Sequence, residues 1–178
     1  MNLRTPQVEP RKAWRLKGLE LGGLRSVARV LVISNENRLF LLKAADPITD
    51  RRFWMTPGGG LEGGESFEAA ARRELFEETG FSLALGPCVW TRRHMFEWRR
   101  KRIDQYERFF VAPGAEGAEP APMDQDRHVV GHRWWSLDEI LASTALFSPR
   151  WLGDLLPAIL RGEYPEFPID CGDSVQST

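Results

Sequence analysis

Runs of apolar residues divide the first part of the chain into a predicted hairpin and a loop. SVARVLVIS (26–34) and RLFLLKAAD (38–46) are rich in β-branched residues and leucine, and the NENR segment that joins them carries the asparagines that tight turns favour. Both runs therefore predict strands of a β-hairpin. The following segment, 45–65, is too dense in glycine for regular structure, so we predict a long loop there.

A helix is predicted from about Ser66 to Thr79. Ser66 is a suitable N-cap, Glu68 suits the first turn, and Gly80 suits the position after the last helical residue. Beyond it, the patterns CVWTRRHMFEW, IDQYERFFVA and VVGHRWW predict three more strands, the first two joined by the basic segment RRKR.

Two further helices are predicted near the end of the chain. SLDEILA begins with a capping box formed by Ser136 and Glu139. The last helix is predicted to start with Ser148 as N-cap and Pro149 as first helical residue, and to end at Gly162. Its apolar stripe consists of Leu152, Leu155, Leu156 and Ile159.

The order of these elements predicts an α/β or α+β sandwich with a mixed sheet. We divide the chain into an N-terminal arm at 1–25, one domain at 26–165 and a C-terminal tail at 166–178. The 178 residues suffice for one domain with its own core, and 42% hydrophobic with 28% charged residues is typical of a soluble globular protein.

Charge and cysteine content exclude several classes of protein. A net charge of -1 gives no overall attraction to nucleic acid or to an anionic membrane. No apolar run approaches the roughly 18 residues of a membrane span, and the first residues lack the apolar core of a secretory signal. Cys88 and Cys171 lack metal-ligand spacing and are interpreted as reduced thiols, so we expect a cytoplasmic protein.

The end of the first predicted helix carries an unusual acidic face. At about 100° per residue, Glu77 and Glu78 lie roughly 60° and 40° to either side of Glu74. The same face begins with small and apolar residues: Phe67, Ala70 and Ala71. We therefore expect these carboxylates at the edge of the core, where mutual repulsion, the helix dipole and partial burial all disfavour them.

Arg73 offsets this repulsion only in part, through Glu77 four residues later. One interpretation is a solvated acidic face, although such a face would normally include lysines. We favour a site for a divalent cation, because Mg²⁺ and Mn²⁺ prefer oxygen ligands and no histidine or cysteine lies here to favour zinc. Dense glycines before the helix would let the backbone approach a bound phosphate.

These residues resemble the signature of the Nudix hydrolase superfamily without departure. From Gly59 the chain reads glycine, five residues, Glu65, seven residues, and then the motif Arg-Glu-Leu-x-Glu-Glu-x-Gly-Phe at 73–81. The resemblance covers the 23 residues from Gly59 to Phe81, with about nine restricted positions. Outside it, only the order of elements is similar to the family.

The resemblance implies an α/β/α sandwich around a central mixed β-sheet. It implies hydrolysis of a nucleoside diphosphate linked to another moiety X, with Mg²⁺ or Mn²⁺ as cofactor. By the family pattern, Glu74, Glu77 and Glu78 would be metal ligands or the base that activates water, and Arg73 would orient a glutamate. The carbonyl of Gly58 would be a further metal ligand, supported by Glu65, Gly59 and Gly60.

Which carboxylate acts as base stays open at this point, because closely spaced carboxylates titrate as a set. Some family members take the base from outside the signature. Candidates here are Glu107, Glu116, Asp124 and Asp126, although for each a plain surface or loop role is favoured.

Residues that select the substrate are harder to identify. Arg51, Arg52, Phe53 and Trp54 precede the glycines and are candidates for binding phosphate or a nucleobase. Six basic residues lie between 92 and 102, and the last four fall in a predicted hairpin turn: Arg92, Arg93, Arg99, Arg100, Lys101 and Arg102. We favour a solvated turn, with a grip on the phosphates of a longer substrate as the alternative.

Two other functions remain open: a nucleotide sensor without turnover, and an interaction protein whose acidic helix is only a charged surface. The intact signature favours the enzyme. We expect a small-molecule nucleotide as substrate, and the N-terminal arm is compatible with a homodimer in which it crosses to the partner.

Overall fold

A single mixed β-sheet organises the chain. The computed structural model describes residues 23–115, 119–122 and 128–172. In chain order the elements are β1 (Arg25–Ser34), β2 (Leu39–Ala45), β3 (Arg52–Met55), β4 (Gly58–Gly60), α1 (Phe67–Thr79), β5 (Cys88–Trp98), β6 (Lys101–Ala115), β7 (Val129–Trp135), α2 (Leu137–Ala142), β8 (Phe147–Ser148), α3 (Leu152–Leu160) and β9 (Ile169–Asp170).

The strands follow the order β8-β3-β2-β1-β6-β5-β9, with β4 paired to β1 and β7 paired to β2. Three pairs are parallel (β1 with β6, β3 with β8, and β5 with β9), and the others are antiparallel. The predicted mixed sheet is therefore confirmed. The parallel β1–β6 pair joins residues about 80 positions apart, for example Arg25 opposite Gln105.

Both faces of the sheet carry apolar cores, because β1 and β2 are buried on both sides. Val30 and Phe40 contribute to the core under α1, whereas Leu31 and Leu41 contribute to the core under α2 and α3. Continuous rather than alternating hydrophobic runs are typical of strands buried on both faces. Helices cover the two faces of the sheet, which confirms the α/β/α sandwich.

The predicted helix boundaries hold where the caps are strong. Ser66 accepts a hydrogen bond from the Ala69 N–H at 3.2 Å, and Gly80 follows α1 with a left-handed φ of 74°. Reciprocal hydrogen bonds between Ser136 and Glu139 form the predicted capping box of α2. These ends are specified locally, so the sequence alone predicts them.

Three local predictions were wrong. The segment 45–65 contains strands β3 and β4, because it pairs with β2 and β1 rather than looping freely. Ser148 ends β8 beside β3, so α3 begins only at Leu152. The basic segment RRKR is a turn only at Arg99 and Arg100, since Lys101 already pairs with Trp98 in β6.

Strands lie at or beyond both ends of the predicted domain. β1 begins at Arg25, while most of the predicted N-terminal arm lies outside the described residues, so its role in a homodimer stays a prediction. β9 lies in the predicted tail and pairs with β5. Cys171 is buried and, like Cys88, forms no disulfide. No helix within the described ranges is long and apolar enough to cross a membrane.

Candidate active site

The glycines of β4 bring the backbone against α1. Gly58 pairs with Arg29 of β1 and adopts a φ of +138°, and a Cβ atom there would lie 2.1 Å from the Ala28 carbonyl oxygen. A Cβ atom on Gly59 would lie 2.5 Å from the Glu74 carboxylate. Only glycine fits at position 58, and a side chain at position 59 would displace the Glu74 carboxylate, so these glycines serve close packing of β4 between β1 and the acidic helix.

Arg73 connects the predicted site residues into one network. Its Nε and Nη2 atoms donate to both oxygens of Glu65 at 2.9 Å, and Nη2 also donates to the Gly60 carbonyl at 3.0 Å. Nη1 donates to Glu74 at 2.7 Å and to Glu77 at 3.3 Å. The hydrogen bonds to Glu65 and Glu74 outweigh burial and raise the pKa of Arg73 above its usual value.

The third glutamate of the motif reaches the glycine strand directly. Glu78 Oε2 accepts a hydrogen bond from the Gly58 N–H at 2.8 Å. Glu74 is buried, with 8% of its surface exposed, whereas the Glu77 side chain is 37% exposed. The expectation of carboxylates at the edge of the core is therefore met, with Glu74 innermost.

The donor set fits a hard divalent cation in its chemistry, since every side-chain oxygen on this face belongs to a carboxylate. In the part of the chain that the structure describes, no three acidic, histidine or cysteine side chains converge closely enough to hold a metal ion. Glu74 and Glu77 are hydrogen-bonded to Arg73. The Gly58 carbonyl accepts a hydrogen bond from Arg29 Nη1 at 3.0 Å.

The three glutamates line a cleft of about 1670 Å³. Its floor is formed by a group of buried or half-buried polar side chains from β1, β5 and β6, which we call the polar floor: Arg25, Arg29, Arg92, His94, Gln105 and Glu107. Basic groups beside a cleft that opens onto carboxylates suit a substrate that carries both phosphate and bound cations.

Glu107 is the centre of the polar floor. It accepts hydrogen bonds from Arg29 Nε at 2.9 Å, Arg92 Nε at 2.6 Å and Gln105 Nε2 at 2.7 Å. Burial disfavours its charge, but Arg29 and Arg92 outweigh burial and lower its pKa to about 2. Gln105 in turn accepts a hydrogen bond from Arg25 at 2.6 Å, and the pKa of Arg25 falls to about 10 through burial and the nearby Arg29.

The favoured surface or loop role of Glu107 was therefore wrong, because the parallel pairing of β1 with β6 buries it completely. Glu116, Asp124 and Asp126 lie outside the described residues. Arg92, grouped with the solvated basic residues, is also buried, and it donates to Ser148 at 2.9 Å as well as to Glu107.

Strand alternation divides the predicted substrate-binding residues. Arg51 and Phe53 line the cleft. Trp54 points to the other face of β3, where its ring packs against Trp135 with centroids 5.1 Å apart. Arg52 is exposed and pairs with Asp50. The structure thus brings two of the four candidates to the cleft, because successive side chains of a strand face opposite ways.

The sequence patterns did not identify most of the polar floor as part of the site. A signal was present: Arg29 interrupts the apolar run of β1, and Gln105 and Glu107 are two residues apart, on one face of β6. His94, interpreted as an ordinary strand residue, also lies beside Glu107, with 3.6 Å between Nε2 and a carboxylate oxygen. Only the non-local pairing of β1 with β6 shows that these side chains meet.

Comparison with known families decides the family of this chain. The family model of the NUDIX domain matches residues 23–155, which include strands β1 to β8, the acidic helix and the residues that line the cleft. The chain belongs to the Nudix family. It is a Nudix hydrolase, and the resemblance found in the signature is confirmed.

Known relatives of this Nudix hydrolase agree with that assignment. The phosphatase NudJ of Escherichia coli K12 is 34% identical over 119 residues, which cover 66% of this chain and 72% of NudJ. A Nudix hydrolase from Nitrosomonas europaea has the same fold, with a TM-score of 0.58 and 22% identity over 81% of this chain and 94% of its own. The MutT protein of Methanosarcina mazei gives a TM-score of 0.56 and 23% identity over 80% of this chain and 98% of its own.

Proposed function

We propose that this Nudix hydrolase cleaves the pyrophosphate linkage of a nucleoside diphosphate joined to a moiety X, with Mg²⁺ or Mn²⁺. The observation that carries the proposal is the network of Arg73, which holds Glu65, Glu74 and Glu77 against the glycine strand at the edge of a large cleft. Hydrolysis of this linkage is the general activity of the family, and the related NudJ is named a phosphatase.

Glu74, Glu77 and Glu78, with the Gly58 carbonyl, would hold the cation. When bound, the cation neutralises charge on phosphate oxygens and makes a water molecule more acidic. Arg73 fixes the rotamer of Glu74 through a 2.7 Å hydrogen bond, and Glu65 fixes Arg73 through two more. A carboxylate of this set accepts the proton of the attacking water.

The polar floor has a different task. Glu107 is a poor general base, because a group with a pKa of about 2 has little affinity for a proton near pH 7. It instead holds Arg29 and Arg92 in place beside the cleft. Their guanidinium groups supply fixed positive charge, which stabilises the negative charge of the phosphates during attack.

A substrate panel tests the proposal: nucleoside triphosphates, nucleotide sugars, ADP-ribose and dinucleoside polyphosphates, each with Mg²⁺, Mn²⁺ or EDTA, with products identified chromatographically. We expect cation-dependent release of a nucleoside monophosphate or phosphate from at least one compound. Glu78→Gln should lower kcat/KM by about 10²-fold or more, since it removes one charge from the ligand set.

The matched control is Glu68→Gln, which changes an exposed glutamate in the first turn of the same helix. It should leave kcat/KM unchanged. Absence of turnover across the panel, together with tight binding of one compound, would overturn the proposal in favour of a nucleotide sensor. Equal activity of the Glu78 and Glu68 variants would instead support a merely charged surface.

A further inference from the structure

The turn between β5 and β6 has an unusual backbone. Trp98 pairs with Lys101, so only Arg99 and Arg100 form the turn, with φ angles of 53° and 60°. Two-residue turns of this kind prefer Asn-Gly, because a side chain is disfavoured where φ is positive. Arginine at both positions costs conformational free energy, and residues held in such conformations cluster at functional sites.

Asp46 fixes this turn against the loop that precedes β3. Its Oδ2 accepts a hydrogen bond from the Arg99 N–H at 3.3 Å, and its Oδ1 accepts from Ile48 and Thr49 at 2.8 and 3.0 Å. The Asp46 N–H donates to the Arg51 carbonyl at 3.0 Å. One buried residue therefore holds the backbones of Arg51 and Arg99 close together.

Aromatic packing supports the same arrangement. Trp98, the last residue before the turn, is buried and packs edge-on against Phe53, with ring centroids 6.2 Å apart. It also packs against His128 at 5.7 Å. Because Trp98 and Phe53 both line the cleft, the turn forms part of its wall rather than a free hairpin end.

Three arginines line this part of the cleft wall, which we call the basic wall: Arg51, Arg99 and Arg100. All three are exposed, and none forms an ion pair with a carboxylate of the described residues. Some exposed arginines elsewhere do so, such as Arg93 with Asp104 and Arg161 with Glu163. Asp46 and Glu97, which also line the cleft here, supply two negative charges against three positive ones, and the Arg99 guanidinium also contacts Nε2 of His128. The basic wall therefore keeps a surplus of positive charge, which favours an anion.

We propose that the basic wall binds a phosphate group of the substrate other than the two phosphates of the scissile linkage. The proposal rests on the proposed function and narrows it to substrates that carry an additional phosphate. The cleft is larger than the roughly 300–1,000 Å³ of an ordinary ligand pocket, which leaves room for such an extended substrate. Guanidinium groups bind phosphate with paired hydrogen bonds, which suits three arginines on one wall.

Matched substrate pairs test this selectivity. Coenzyme A is compared with dephospho-coenzyme A, and ADP-ribose with its 2′-phosphate, because each pair shares a pyrophosphate linkage and differs by one phosphate. We expect the wild-type enzyme to prefer the phosphate-bearing member of at least one pair by about tenfold in kcat/KM, as charge-assisted hydrogen bonds to one group would give.

The decisive variant combines Arg99→Asn with Arg100→Gly. It removes both charges but supplies the residues that this turn prefers, so the melting temperature should be maintained or rise by a few degrees. In this double variant the preference in kcat/KM for the phosphate-bearing substrate should fall to about twofold. Arg51→Ala is a second variant outside the turn and should reduce the preference in the same direction. Lys101→Ala is the control, since Lys101 is exposed and adjacent but does not line the cleft.

Loss of preference without loss of melting temperature supports the subsite. A preference for the phosphate-bearing substrate that survives in the double variant overturns the subsite. Equal kcat/KM for both members of each pair in the wild-type enzyme overturns it as well. If neither pair is turned over, the affinities of the same compounds are measured by calorimetry. If the wild-type enzyme binds the phosphate-bearing compound about tenfold more tightly and the variants abolish this difference, the basic wall is supported even if the proposed function fails. Equal affinities for the two members of each pair overturn the basic wall.

Discussion

Glu107→Gln is predicted to destabilise the protein strongly while keeping the shape of the side chain. Glu107 is fully buried and bonded to Arg29 and Arg92. The difference between its usual pKa of 4.5 and about 2 in the fold corresponds to about 3 kcal/mol. Removal of one partner from a buried ion pair typically costs about 3–5 kcal/mol. We therefore expect the free energy of unfolding to fall by about 3 kcal/mol at pH 7.

The stability difference between the wild-type protein and the Glu107→Gln variant should depend on pH in one direction only. Because the folded-state pKa of Glu107 is depressed, its contribution is fully present above pH 4.5 and is lost as the pH falls towards about 2. The wild-type protein and the Glu107→Gln variant should therefore differ by a constant amount between pH 7 and pH 5. Below pH 4.5 the difference should shrink.

Urea unfolding followed by tryptophan fluorescence measures both effects, at pH 7, 5 and 4. The matched control is Glu163→Gln, which removes an exposed partner of Arg161 and should leave the unfolding midpoint unchanged at each pH. A Glu107→Gln variant as stable as the wild-type protein at pH 7 would refute the argument. So would a stability difference that grows as the pH falls from 5 to 4.

Two other predictions concern the glycine strand and Arg73. Gly59→Ala places a Cβ atom 2.5 Å from the Glu74 carboxylate and should lower kcat/KM by about 10²-fold, because the carboxylate must move. Gly63→Ala, whose Cβ would meet no atom within 4 Å, should leave kcat/KM unchanged. Equal activity of the two variants would contradict a role for the close packing of β4 against Glu74. Arg73→Lys keeps the charge but loses the paired hydrogen bonds to Glu65. Both kcat/KM and the apparent Mg²⁺ affinity, measured by titrating activity with Mg²⁺, should therefore fall about 10–100-fold. An unchanged Mg²⁺ titration would contradict a positioning role for Arg73.

Elements defined by neighbouring residues were predictable from the sequence. Helix α1 follows from its caps at Ser66 and Gly80 and from alanines that pack on the sheet. The contact between Arg73 and Glu77 also follows from helical spacing. The glycine strand β4 was not predictable in this way, because glycine has low strand propensity and only pairing with β1 stabilises the extended conformation.

The polar floor shows why the rest of the site could not be predicted. Its residues come from three strands, and in their own segments most of them look like ordinary solvated polar or charged side chains. Arg25 and Gln105 meet only because β1 and β6 run parallel, a pairing that joins positions about 80 residues apart. Likewise, Ser148 was a plausible helix cap until the pairing of β8 with β3 placed it beside Arg92.

The short strand β9 protects one border of the sheet. It covers part of β5 through pairs such as Trp90 with Ile169, and the Cys171 N–H donates to the Thr91 carbonyl at 2.8 Å. A chain cut back to the residues matched by the family model would lose this cover. The backbone donors and acceptors of β5 that pair with β9 would then be exposed to strands of other molecules. Such exposed strand edges promote edge-to-edge aggregation. Shortened forms of the enzyme for crystallisation or screening should therefore retain residues through Cys171.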